Sequence, residues 1–277
     1  MTIMQTITPA AHSIDYDLDR IRYELDRLGY CVVENVLSSA QLEGTVAAMY
    51  RARTAIHAEL GLERLEAAGE AGILRLMCKF EPSFLELLEA PLFLDVLDAA
   101  LSPTSVMHLQ QGIILEPENG GTGTMFQNSW HPDFTRLLNG YRASINFMVA
   151  VTDYTRETGA THVLPGSHQK PRPPADILET YGIPVEAPAG SVIIFDSTLW
   201  HKSGRNTSGA DRLAINHQFT CSWFKQQIDY VRALDESLIL SLPQRTQQML
   251  GYFTRVPTSL DEYYQPPEKR LYRAGQG

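Results

Sequence analysis

Residues 192–206 read VIIFDSTLWHKSGRN. The β-branched start reads as a strand and the Gly-Arg-Asn end as a turn, which leaves His201 between them. The same texture recurs in SVMHLQQGIIL (105–115), YRASINFMVAVTD (141–153), THVLPGS (161–167) and RLAINHQFTCSWF (212–224), with Gly, Pro, Asn and Asp between the runs. Short strands at this spacing predict an antiparallel sandwich or barrel over about 103–225.

Residues 15–102 have a different rhythm. Leu18, Ile21, Leu25 and Leu28 fall three and four apart, which predicts an amphipathic helix ended by Gly29. YCVVENV (30–36) follows as a short strand, and Ser38 and Ser39 precede a long helix from about Gln41. A second helical stretch runs from Ser83 to Leu101, broken at Pro91. The tail, 226–277, carries a helix over 235–250 and a Tyr/Pro-rich end. No linker or internal repeat divides the chain, so one domain is expected, with helices buttressing a β core.

At 277 residues, with 44% hydrophobic and 20% charged side chains, the chain can bury an ordinary core. A net charge of −9 argues against a nucleic-acid partner, which needs a basic face. Cys31, Cys78 and Cys221 make neither a disulfide framework nor a zinc pair. The first residues lack a basic start and a sustained apolar run, and no window has the length of a membrane span. A cytoplasmic protein is therefore expected. The helical N-terminal part is the candidate surface for a homodimer, although no heptad repeat marks one.

In NSWHPDFTR (128–136), His131 and Asp133 stand two apart, so on extended chain they point to one side. Alone, this triplet reads more readily as a polar turn than as a metal site. Joined by His201 it becomes two histidines and a carboxylate, the facial triad of non-haem Fe(II) oxygenases, which leaves three open coordination positions. Arg212 lies eleven residues beyond His201, after the turn SGRNTSGAD, and is expected to return alongside the His201 strand. A buried guanidinium is costly unless it meets a carboxylate, and the far carboxylate of 2-oxoglutarate suits it. Ser203, two after His201, faces the same way. A jelly-roll metal protein without this cosubstrate, or a metal-free scaffold, stays open on these residues alone.

WHPD (130–133), TGATHVLPGSH (158–168), FDSTLWHKSGRN (195–206) and Asp211-Arg212 together resemble the phytanoyl-CoA dioxygenase family of Fe(II)/2-oxoglutarate-dependent oxygenases. The resemblance spans roughly residues 20 to 255 and is most specific from 130 to 220. It implies a mainly β fold with flanking α: a double-stranded β-helix (jelly-roll) core. It also implies iron on His131, Asp133 and His201, with 2-oxoglutarate on Arg212 and Ser203 and dioxygen as co-reactant. The expected reaction oxidises a C–H bond of a small molecule, a secondary metabolite or amino-acid derivative, with release of succinate and carbon dioxide. Halogenases of this class replace the carboxylate by a small residue, so Asp133 favours hydroxylation. Desaturation, cyclisation and epimerisation use the same ligands. Pro132 departs from the family, where many members carry glutamine.

Other residues receive lesser readings. Asn146 and Met148 share a strand face, and Asn146 and Gln111 are candidates for the cosubstrate. His168 reads as a turn-fixing histidine and His217 as a core one, and His108 and His162 carry no weight. Trp130 and Trp200 each precede a ligand and should point away from the metal. Phe134 and Trp223 read as core, EPENGGTGTMFQN (116–128) as a lip over the site, and the acidic pairs 235–236 and 261–262 as solvated faces.

Overall fold

The apolar spacing at the N-terminus produces the expected helix. In the computed structural model, which describes residues 15–118 and 128–276, α1 (Leu18–Arg27) is capped by the Asp17 carboxylate and buries Ile21 and Leu25. Leu28, the last of that apolar series, is instead 41% exposed, because the helix has already ended and Gly29 turns the chain with φ +84°. β1 (Tyr30–Val33) is shorter than the apolar run, and Asn35 leaves extended geometry at φ 58°. Ser38 and Gln41 form a capping box that starts α2 (Ser39–Leu60). α3 (Leu62–Ala67), β2 (Ile73–Arg75), a 3₁₀ segment (Pro82–Glu89) and α4 (Pro91–Ala100) follow, with Pro91 at the first turn of its helix.

The β half contains β3 (Val106–Leu115), β4 (Ser144–Ala150), β5 (His162–Val163), α5 (Ala175–Tyr181), β6 (Ile183–Pro184), β7 (Val192–Asp196), β8 (His201–Lys202) and β9 (Arg212–Thr220). The larger sheet has the order β1-β7-β4-β9-β3-β2, and the smaller one β6-β5-β8, all antiparallel. This is a jelly roll with flanking helices, as expected. One expectation fails: Arg212 does not return beside the His201 strand. β8 pairs with β5, whereas β9 lies in the larger sheet between β3 and β4. The turn carries the chain across the sandwich, so Arg212 comes from the wall opposite His201.

Strand alternation sorts the larger sheet into two faces. Phe147, Val149, Ile194, Ile215 and Phe219 pack outward against the N-terminal helices. Met148, Ala150, Ile193, Phe195 and Ala214 face inward toward the smaller sheet. In the tail, α6 (Tyr230–Ala233), α7 (Glu236–Ser241), α8 (Gln244–Met249) and α9 (Leu260–Tyr263) replace the single helix expected over 235–250. Pro243 is the reason, since it holds the preceding Leu242 extended at ψ 158°. Asp235 is exposed, as expected, and its carboxylate also caps α7. Tyr230, Ile239 and Met249 bury themselves in the outer-face core, so the tail covers that face with the N-terminal helices.

His217 lies in this outer core, fully buried, with the Gln110 amide donating to its Nε2 at 3.0 Å. Burial pushes the ring down to about 3, whereas the unfolded chain titrates near 6.5. Between these values the unfolded state binds the extra proton, so stability is present above about pH 6.5 and is lost as pH falls toward 3. The contribution is at most about 1.4 kcal/mol per pH unit. Urea unfolding at about pH 7, 5 and 4 should show this loss, and His217→Leu should flatten the slope by about 1 kcal/mol per unit.

Candidate active site

His131 lies outside any regular strand yet is not loose. Its N–H donates to His201 O and the His201 N–H donates to His131 O, each at 2.9 Å, an antiparallel bridge that adds His131 to the edge of the smaller sheet. Two residues on, Asp133 lies on the same side, and the Phe134 N–H donates to Ser197 O to hold the segment. Asp133 Oδ1 stands 3.8 Å from His131 Nε2 and 3.7 Å from His201 Nε2. One ligand atom from each of the three lies within 4.8 Å of the others. A metal with bonds of roughly 2.1 Å sets neighbouring ligands about 3 Å apart, so the trio stands slightly open of that spacing.

The ring tautomers suit a cation. His131 Nδ1 lies 2.7 Å from Ser129 O and His201 Nδ1 2.9 Å from Leu199 O. A carbonyl can only accept, so each Nδ1 donates a proton to it, which leaves Nε2 of each ring as the atom turned toward Asp133. His201 is held neutral by burial, which lowers its pKa, with the nearby Asp133 carboxylate opposing that shift.

Opposite, the inner face of the larger sheet forms a wall. Register places Met148, Asn216 and Gln111 in one row across β4, β9 and β3. The next row is Ala150, Ala214 and Ile113, where two methyl groups leave room. Beyond it Arg212 is 2% exposed, its guanidinium 4.5 Å from the centroid of the Tyr154 ring. Among the described residues no carboxylate lies within 4 Å of Arg212, and its Nε has no partner. Residues 1–14 and 119–127 contain no Asp or Glu. The Tyr154 hydroxyl, Gln111 Oε1 and Asn216 Oδ1 are likewise buried without partners. A cavity ringed by a metal-ready trio, a lone buried guanidinium and unpaired amides fits a small chelating dianion.

Ser203 and Gln111 border this cavity together with the trio and Arg212. Asn146 does not. Its strand face is inward as expected, but its amide is spent on Ser197 Oγ at 2.7 Å and Asn216 Nδ2 at 3.1 Å, so Asn216 stands at the wall in its place. Asn216, Thr161 and Phe195 line the cavity without having been singled out. For Asn216 the signal was available, because it lies four residues from Arg212 on one strand and so shares its face. Trp130 and Trp200 point away as expected, packing with Leu164 and Leu178. Trp223, expected in the core, is 53% exposed and lies against Phe224, ring centroids 4.3 Å apart. His168 ties its turn to α1 through Asp26 O at 3.2 Å. Most of the expected lip, 119–127, lies outside the described residues.

A jelly roll with an open-sided His/Asp/His cluster facing a buried arginine is the architecture of the Fe(II)/2-oxoglutarate-dependent oxygenases. Residues 25–214 match the family model described as phytanoyl-CoA dioxygenase, and the chain belongs to that family. It is 55% identical over 262 residues to an uncharacterized protein of Mycobacterium tuberculosis, a match covering 94% of this chain and 96% of that one. Among solved structures it is similar to SnoK, a non-heme alpha-ketoglutarate-dependent carbocyclase from nogalamycin biosynthesis (TM-score 0.56, 20% identity, covering 74% of this chain and 84% of that one). It is also similar to EctD from S. alaskensis, solved with 2-oxoglutarate and 5-hydroxyectoine (TM-score 0.57, 19% identity, covering 77% and 81%). Family membership makes this chain a dioxygenase whose cofactors are Fe(II) and 2-oxoglutarate.

An unpaired buried cation is a stability cost in the absence of its anion. Arg212→Met should therefore leave the metal-free protein as stable as the parent, or about 1–2 kcal/mol more stable. Chemical denaturation of both proteins without iron or 2-oxoglutarate measures this. A loss of several kcal/mol would show that the guanidinium has a partner within the fold.

Proposed function

We propose that the chain hydroxylates a C–H bond of a small molecule, a secondary metabolite or amino-acid derivative, with His131, Asp133 and His201 holding the iron. The observation that carries this reading is the buried, unpaired Arg212 across the cavity from the His/Asp/His trio. Iron bound there, with 2-oxoglutarate, supplies the activation of dioxygen and the release of succinate and carbon dioxide. Arg212 takes the far carboxylate of 2-oxoglutarate through its planar fork, and Ser203 donates a hydroxyl hydrogen bond to it. Gln111 and Asn216 face the same molecule from the β3–β9 wall, and Asn146 acts through Asn216 by fixing its amide. Asp133 occupies the position that a halide would need, which favours hydroxylation over halogenation. Ala150 and Ala214 keep the floor open, while Phe195 and Ile113 keep water from it. The 5-hydroxyectoine bound to EctD and the place of SnoK in nogalamycin biosynthesis support this class of substrate.

The test begins anaerobically. Addition of Fe(II) and then 2-oxoglutarate to metal-free protein should give the weak visible charge-transfer band of a chelated keto acid. His201→Ala should abolish it. Arg212→Ala should raise the 2-oxoglutarate concentration needed by on the order of a hundredfold, about 3 kcal/mol. Iron binding without a band would replace this reading by a jelly-roll metal protein that ignores 2-oxoglutarate.

With a substrate found by succinate release, the product should carry one oxygen atom from labelled dioxygen. A product short of two hydrogens and without that atom would mean desaturation or cyclisation at the same iron.

A further inference from the structure

Pro132 and Phe134 alternate with the ligand positions 131 and 133, and Trp200 precedes His201, so these three side chains leave the metal cavity on its far side. There they meet Leu137, Lys170 and Arg172 around a groove of about 280 Å³. The groove shares no lining residue with the metal cavity. Trp200, 8% exposed, forms its floor, and the Arg172 guanidinium lies 5.5 Å from the centroid of that ring. Among the described residues neither Lys170 nor Arg172 meets a carboxylate within 4 Å.

The wall that carries both cations is held in place. Gln169 adopts a left-handed conformation, φ 53°, which costs a non-glycine residue on the order of 1 kcal/mol. Its N–H donates to Thr198 Oγ1 at 2.8 Å and its side-chain amide to Asp196 Oδ2 at 3.3 Å, and these bonds fix the turn that leads into Lys170 and Arg172. A wall fixed before binding loses less entropy when a ligand arrives.

We propose that this groove is a second small-molecule site, separate from the iron cavity, that takes an organic anion carried on a short apolar or aromatic body. At roughly 30 Å³ per atom or water the space admits on the order of ten non-hydrogen atoms. Arg172 offers a planar fork matched to a carboxylate or phosphate, Lys170 adds a second positive charge, and Trp200 and Phe134 supply ring faces for the body. The occupant lies on the back of the segment that bears His131 and Asp133, so the site stands or falls independently of the reading given to the iron.

Fluorine NMR on the full-length, metal-free protein at low ionic strength tests this with 4-fluorobenzoate, 4-fluorophenyl phosphate and the neutral 4-fluorobenzamide. At least one anion should bind saturably, and the stronger of the two identifies the acid group the site prefers. The amide should bind at least tenfold more weakly. Lys170→Ala/Arg172→Ala, both exposed positions and so compatible with folding, should weaken the anion at least tenfold, whereas Arg212→Ala should leave it unchanged. No saturation in the parent would overturn the proposal. So would equal binding of the amide, or loss of the anion with Arg212→Ala, which would put it in the iron cavity.

Discussion

Two backbone hydrogen bonds between His131 and His201 set the geometry of the whole centre. The residues are seventy apart in sequence, and one lies on a segment with no regular structure of its own. By exchanging both amide bonds they become neighbours on a sheet edge, with their rings on one side. Side-chain position then follows from backbone pairing, and Asp133 follows from the two-residue repeat. The Nδ1 bonds to Ser129 O and Leu199 O complete the constraint by fixing ring orientation as well as ring location.

The opposite wall is organised by a polar network. Ser144, Asn146, Ser197, Asn216 and Gln218 form a hydrogen-bonded chain on the inner face of the larger sheet. Buried polar groups left partly unsatisfied are costly, and the ones that border the cavity, on Gln111, Asn216 and Arg212, are left so. A polar ligand in the cavity would relieve these, though not the orphaned atoms elsewhere in the described fold, on His108, Gln110, His168, Ser191, His217 and Thr220. The rest of the network is satisfied internally, which holds the unsatisfied groups in position.

Much of this was legible in the sequence, and for identifiable reasons. The ligand trio and Arg212 sit in motifs whose chemistry is local: an H-x-D on extended chain, a histidine between strand and turn, an arginine opening a strand. α1 and the Ser38 cap were legible because apolar spacing and cap chemistry act within a few residues. What escaped was tertiary. No local signal tells that the turn after His201 changes sheets rather than doubling back within one. Asn146 and Asn216 both face inward, and it is the contact of Ser197 with the Asn146 amide that takes Asn146 away from the cavity. Trp223 looks like core by composition, yet β9 has ended before it. Pro243 is the exception, a local signal strong enough to divide the tail helix.

Asp133 differs from the histidines in one respect that matters beyond catalysis. Its side chain, 24% exposed, makes no hydrogen bond within the described fold and stands within 4 Å of the His131 and His201 rings. The backbone bridge and the ring orientations make no use of it. Replacing Asp133 leaves the bridge and the ring orientations intact, whereas replacing either histidine removes an Nδ1 bond that orients its ring. In evolutionary terms Asp133 is a position that drift can sample at little cost to the fold.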